Sequence, residues 1–117
     1  MAGTRLSIRI DLATGARIGP GKIALLEAIR ATGSISAAAR SLDMSYRRAW
    51  LLVEEINNAL REPAVTAATG GRSGGGAVVT PVGEQIVALY HAVESHARGA
   101  ASDEFRAIGR LVRHDKA

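Results

Sequence analysis

The sequence predicts a mainly α domain with a small β element, and three observations carry that expectation. Apolar residues recur at helical spacing through most of the chain, as in Ile23, Leu26 and Ile29 or Ala49, Val53 and Ile56. Between Gly33 and Leu60 the run SISAAARSLDMSYRRAWLLVEEINNAL reads as a short helix, a tight turn and a longer helix, each helix preceded by a serine able to cap it. A five-glycine stretch, TGGRSGGG, then separates two β-compatible runs, Ala64 to Thr69 and Ala77 to Thr80. Together these describe a winged helix-turn-helix with an N-terminal strand or hairpin and a C-terminal amphipathic helix.

From Arg5 to Leu12 the pattern has period two. Leu6, Ile8, Ile10 and Leu12 share one face and Arg5, Ser7, Arg9 and Asp11 the other, which predicts a half-buried strand. Ala13-Thr14-Gly15 is a turn, and Ala16 to Ile18 returns as a second short strand. Gly19-Pro20-Gly21 punctuates, and a first helix follows from about Lys22 to Ala31, with Leu25 on its flank and Gly33 as its left-handed stop. In the next helix Ser34 and Ser36 are both competent caps, and Ala37-Ala38-Ala39 permits close approach of a neighbour. Asp43 occupies the turn and tolerates a left-handed backbone better than most residues.

Ser45 caps the third helix. At 100° per residue Ala49, Leu52, Val53, Ile56 and Leu60 fall inward, while Arg47, Trp50, Leu51, Glu54 and Asn58 fall outward with Tyr46 at the boundary. Glu62-Pro63 ends it. Thr80-Pro81 reads as a cap followed by proline at the first helical position. The fourth helix, from about Pro81 to Ala97, carries Val82, Ile86, Leu89 and Val93 at helical spacing. A break over residues 98–102 precedes a last amphipathic segment, Asp103 to Arg113, whose apolar side carries Phe105, Ile108, Leu111 and Val112. The expected organisation is therefore a DNA-binding domain over residues 1–98 and a dimerisation segment over residues 99–117.

The chain has 117 residues, enough for one compact domain, and 47% of them are hydrophobic but only 3% aromatic. Fifteen Lys and Arg oppose eleven Asp and Glu for a net charge of +4, and every cation except Lys22 and Lys116 is arginine, whose planar fork suits phosphates and guanine edges. Cysteine is absent, so no disulfide framework or thiolate metal site is possible. The opening MAGTRLSIRIDL lacks the apolar core of a signal peptide, and no run reaches the ~20 apolar residues a membrane span needs. A soluble, cytoplasmic protein is expected.

The sharpest functional candidates lie on the third helix. Its free amides and dipole favour a phosphate near Ser45. Arg47 is the first candidate for a bidentate guanine contact, Tyr46 and Ser45 for phosphate or base edges, and Arg48 for a phosphate clamp. Trp50 suits either a thymine methyl and the sugar wall or a place over the core beside the second helix. Ser34 and Ser36 complete the set on the second helix, and Arg72, Ser73 and Gly74 on the glycine loop. That loop is no nucleotide-binding P-loop: Gly76 is followed by Ala-Val-Val, and neither the required lysine nor a helix follows. Dimerisation is expected through Leu25, Phe105, Ile108 and Val112. His91, His96 and His114 lack metal-ligand spacing, Glu54 and Glu55 read as a solvated pair, and no nucleophile, base and acid fall together. Neither an enzyme nor a cofactor is expected.

GSISAAARSLDMSYRRAWLLVEEIN followed by TGGRSGGGAVVTPVGEQIVALY resembles the N-terminal DNA-binding domain of the bacterial molybdate-responsive ModE regulators, from about Gly21 to Tyr90. SYRRAW and TGGRSGGGAVVT are its most telling pieces; the Ala-rich helix is also similar to LysR-type regulators. The resemblance implies a winged helix that forms a homodimer, binds double-stranded DNA at a palindromic operator and controls genes of molybdenum uptake or use. It assigns the reading helix to Ser45, Tyr46, Arg47 and Trp50 and the wing to Gly70 to Gly76. Members of that family carry C-terminal molybdate-binding domains that have no counterpart before Ala117, so molybdate is not expected to bind this chain. A stand-alone regulator, a fragment of a longer one, and a protein-interaction module that pairs with a longer regulator are the alternatives this leaves.

Overall fold

The computed structural model describes residues 3–68 and 76–113. Within them the chain is mainly helical, with five helices and two small antiparallel hairpins. In the first hairpin, β1 (Ile10–Asp11) pairs with β2 (Arg17–Ile18), Ile10 opposite Ile18. Its turn is closed by the Leu12 N–H on the Ala16 carbonyl at 2.8 Å, with Gly15 at φ 95°. The expected strand from Arg5 is thus shorter than its pattern. The alternation itself holds: Leu6, Ile8, Ile10 and Leu12 are half-buried and the intervening residues exposed. Period two reports one-sided burial, whereas a ladder needs an opposing strand, and residues 3–9 have none.

Helix α1 (Pro20–Thr32) starts two residues before the expected Lys22, because Pro20 sits at a position where a missing N–H costs nothing. Gly33 ends it at φ 80°, its N–H on the Ile29 carbonyl. Ile23, Leu25, Leu26 and Ile29 are all buried, Leu25 at 0% exposure. Leu25 is therefore a core residue and is not available as a dimer contact. The reason is crowding: α1 packs against β2, the next three helices and the second hairpin, so its buried arc exceeds one stripe.

Helix α2 (Ile35–Ser41) is capped by Ser34, whose Oγ accepts from the Ala37 N–H at 3.0 Å. Ser36 lies exposed in its first turn and caps nothing. Ala38 and Ala39 are buried. The turn runs through Asp43 at φ 58°, and the Met44 N–H returns to the Ala39 carbonyl at 3.0 Å. Helix α3 (Tyr46–Ala59) follows, Ser45 Oγ accepting from the Arg48 N–H at 3.0 Å.

The second hairpin joins β3 (Val65–Ala68) to β4 (Gly76–Val79), Val65 opposite Val79. Two contacts seat it: the Ala77 N–H donates to the Gly33 carbonyl at 2.9 Å, and Asn57 of α3 clamps its base. Asn57 Oδ1 accepts from the N–H groups of Ala64 and Val65 at 2.8 and 3.1 Å, and its Nδ2 donates to the Val65 carbonyl at 3.0 Å.

Thr80 caps helix α4 (Pro81–Ala100), accepting from the Gly83 N–H and donating to the Pro63 carbonyl. The buried residues of α4 are Gly83, Val87 and Tyr90; of the spaced apolar set, Val82 and Ile86 are half-buried, Ile86 against the core, whereas Leu89 and Val93 are 59% and 43% exposed. Gly83 sets the rotation, since a Cβ there would run into the Ala64 carbonyl oxygen. Helix α5 (Ser102–Leu111) follows after one residue, Ala101, rather than a five-residue break, and buries no residue. The radius of gyration is 17.1 Å, against about 13 Å for a compact chain of this length.

Candidate nucleic-acid interface

Helix α3 has two unlike faces. Ala49, Val53 and Ile56 are buried against α1 and α2. Tyr46, Arg47, Arg48, Trp50 and Leu51 are exposed, Tyr46 and Trp50 at 55% and 44%. An aromatic pair and two guanidinium groups therefore occupy the first turn and a half of a helix whose leading amides are only partly satisfied by Ser45. Among the described residues neither Arg47 nor Arg48 enters an ion pair, so both charges face solvent.

The face is flanked by two hollows. On the hairpin side, a cleft of about 340 Å³ runs between α3 and β3–β4, with Tyr46, Trp50, Glu54 and Asn57 on one wall and Thr66 and Ala67 on the other. On the opposite side a shallow hollow of about 460 Å³ is lined by Ser45, Arg47, Arg48, Leu51, Leu52 and Glu55. Arg47 and Leu51 crown the ridge between them. Trp50 thus lies in the groove between helix and hairpin rather than over the core.

Ser34 and Ser36 come together with Tyr46, Gly76 and Ala77 around a third, smaller hollow. Ser34 Oγ is engaged as a cap, leaving Ser36 as the freer hydroxyl. The expected wing residues Arg72, Ser73 and Gly74 lie outside the described residues. Phe105 is half-buried, while Ile108 and Val112 are 54% and 48% exposed. The pattern did not single out Asn57, and it gave Leu89 and Val93 only as members of a spaced apolar set, with no surface role. A polar residue beside the apolar stripe of α3 was the available signal for Asn57.

Glu55 is not merely solvated: its carboxylate meets Lys22 Nζ at 2.8 Å, and that hydrogen bond, reinforced by the lysine charge, holds its pKa below the usual value. Lys22 also donates to the Arg17 carbonyl, so one ammonium ties β2, α1 and α3 together. Burial raises the Tyr90 phenol, whose hydroxyl donates to the Ile8 carbonyl at 2.6 Å. Among the described residues no cluster of three His, Asp or Glu could hold a metal, and no helix is long and apolar enough to cross a membrane.

The fold and this face define a small helix-rich domain that presents a capped, cationic and aromatic helix beside a hairpin. Known proteins are similar to it over part of their length. The chain is 57% identical over 82 residues to the molybdenum-pterin-binding protein MopB of Rhodobacter capsulatus, covering 70% of this chain and 30% of that protein. It is 43% identical over 96 residues to the molybdenum transport protein ModE of Azotobacter vinelandii, covering 80% and 36%. It is 42% identical over 71 residues to the DNA-binding transcriptional dual regulator ModE of Escherichia coli, covering 61% and 27%. The chain thus spans roughly a third of the length of these curated relatives. No family model matches it.

Proposed function

We propose that this chain is a sequence-specific reader of double-stranded DNA of the winged helix-turn-helix type, working as a homodimer on a palindromic operator in the manner of the ModE regulators. The observation that carries this reading is the outward face of α3, with Tyr46, Arg47 and Trp50 exposed beside a capped N-terminus. A major groove about 12 Å wide accepts one such helix. Arg47, on the ridge, is the base-reading side chain; Arg48 on the flank meets phosphate. Ser36 and Tyr46 lie where the adjoining backbone would pass, and the β3–β4 hairpin serves as the wing. The chemistry is binding rather than catalysis. The names of the relatives favour genes of molybdenum uptake or use as targets, while molybdate itself is not expected to bind this segment.

The second copy would dock on the α4–α5 arm, through Leu89, Val93, Ile108 and Val112, all exposed. That same surface also favours a second reading, in which the arm pairs with a longer regulator and modulates it. Fluorescence anisotropy with operator and scrambled duplexes at several salt concentrations tests the first reading. Specific binding should weaken steeply with salt, and Arg48→Ala should make the slope shallower by about 1. Absence of salt-dependent binding to any duplex, with capture of a partner that survives nuclease, would favour the second.

A further inference from the structure

On α4, away from the α3 ridge, His91 lies between two carboxylates. Its Nε2 is 2.9 Å from Glu27 Oε2 on α1, and its Nδ1 is 2.9 Å from Glu94 Oε1 on its own helix. A neutral imidazole carries one N–H and can donate to only one of them; only the imidazolium satisfies both. We infer that His91 is a proton-operated clamp, which when protonated holds the α4–α5 arm against α1 and when neutral gives up one of its two carboxylates.

The surroundings agree with that assignment. From α1 the facing charged groups are Glu27 and, one turn on, Arg30, which is engaged by Glu84 of α4 at 2.5 Å. From α4 they are Glu84, Glu94 and Arg98, the last placed four residues beyond Glu94, with the Tyr90 ring edge-on at 5.9 Å. The leading segment brings the Ile8 carbonyl, taken by the Tyr90 hydroxyl, while its Arg9 pairs with Asp11. The two carboxylates, Glu27 foremost, raise the pKa of His91 against a smaller opposing effect of burial. A raised folded-state pKa gives a contribution fully present below the unfolded histidine value, about 6.5, and lost as pH rises through the folded value. The clamp therefore releases on the alkaline side of that range.

The clamp deepens the proposed function, because the arm it holds is the proposed dimer surface, but it stands on contacts within one chain. An NMR titration of the histidine ring signals tests it, with His91→Gln identifying the resonance. The midpoint should lie above about 6.5 and fall in Glu27→Gln. Amide protection in α4, corrected for intrinsic exchange, should decline through that midpoint in the wild-type chain and stay level in His91→Gln. A midpoint at or below the ordinary value, one unmoved by Glu27→Gln, or an equal decline of protection in His91→Gln would overturn the inference. If DNA binding fails while these results hold, the functional reading falls and the clamp stands.

Discussion

The outward faces of α3 and of the α4–α5 arm are both open to solvent, and their chemistry differs in kind. On α3 the exposed aromatics, Tyr46 and Trp50, sit beside Arg47 and Arg48. On the arm the exposed apolar residues are aliphatic: Leu89 and Val93 on α4, Ile108 and Leu111 on α5. Guanidinium groups with flat rings suit a polyanion that also offers stackable surface. Aliphatic side chains gain from water exclusion alone, at about 25 cal/mol per Å², which a second protein surface supplies and a phosphate backbone does not. The difference is what the proposed function rests on: the cationic, aromatic side is assigned to DNA and the aliphatic side to a second protein surface.

Breaking the arm should have the larger effect. Leu89→Glu with Val93→Glu should leave the monomer folded, since neither residue belongs to the buried core. It should abolish dimerisation in analytical ultracentrifugation and lower operator affinity by the avidity lost, about 10²–10⁴-fold. Unchanged mass and affinity would move the dimer surface elsewhere.

Arg47→Ala comes next. It should cost roughly 1–3 kcal/mol of discrimination between operator and scrambled DNA without changing the oligomer. Equal losses on both duplexes would reassign Arg47 to phosphate.

How far each face was legible in the sequence follows from what makes it a face. On α3 the inward residues Ala49, Val53 and Ile56 recur at helical spacing, so periodicity separates them from Arg47 and Trp50, and the Ser45 cap fixes where the helix begins. On α4 two stripes compete, and hydropathy alone does not choose between them. Val82, Ile86, Leu89 and Val93 outweigh Gly83, Val87 and Tyr90, yet the latter are buried. A glycine adds nothing to an apolar pattern, but here its missing side chain is what admits the Ala64 carbonyl. Tyr90 is internal because its hydroxyl finds the Ile8 carbonyl, 82 residues away in sequence. Neither fact is local. Leu25 failed similarly: whether a helix flank is buried depends on how many neighbours surround it, and α1 has several.

The α3 ridge depends on where its helix starts, which gives a smaller prediction. Ser45→Ala removes the acceptor of the Arg48 N–H and should cost about 1 kcal/mol in a urea melt. DNA affinity should fall through fraying of the first turn, with specificity kept. Ser45→Asp should restore stability while weakening DNA binding, since it adds a negative charge where a phosphate is proposed to sit. Ser34→Ala, at the other occupied serine cap, should lower stability similarly without that effect on α3.

The smallest expected effect concerns the tie between the leading hairpin and α3. The Glu55 carboxyl is held below its ordinary pKa by Lys22, so its contribution is present above the unfolded carboxylate value and is lost as pH falls through the folded one. Glu55 is about half exposed at its side chain, 54%, so solvent screens the pair. A contribution of a few tenths of a kcal/mol is expected, within the range of exposed ion pairs. Wild-type and Glu55→Gln chains should differ slightly in stability at neutral pH and converge in acid. Because Glu55 also lines the hollow beside Arg48, the same substitution removes a negative charge from the proposed phosphate flank. Glu55→Gln should therefore bind all duplexes somewhat more tightly at low salt, with the gain fading as salt rises. Opposite signs for stability and affinity from one residue would separate the flank of α3 from the arm, where no substitution should strengthen DNA binding by charge alone.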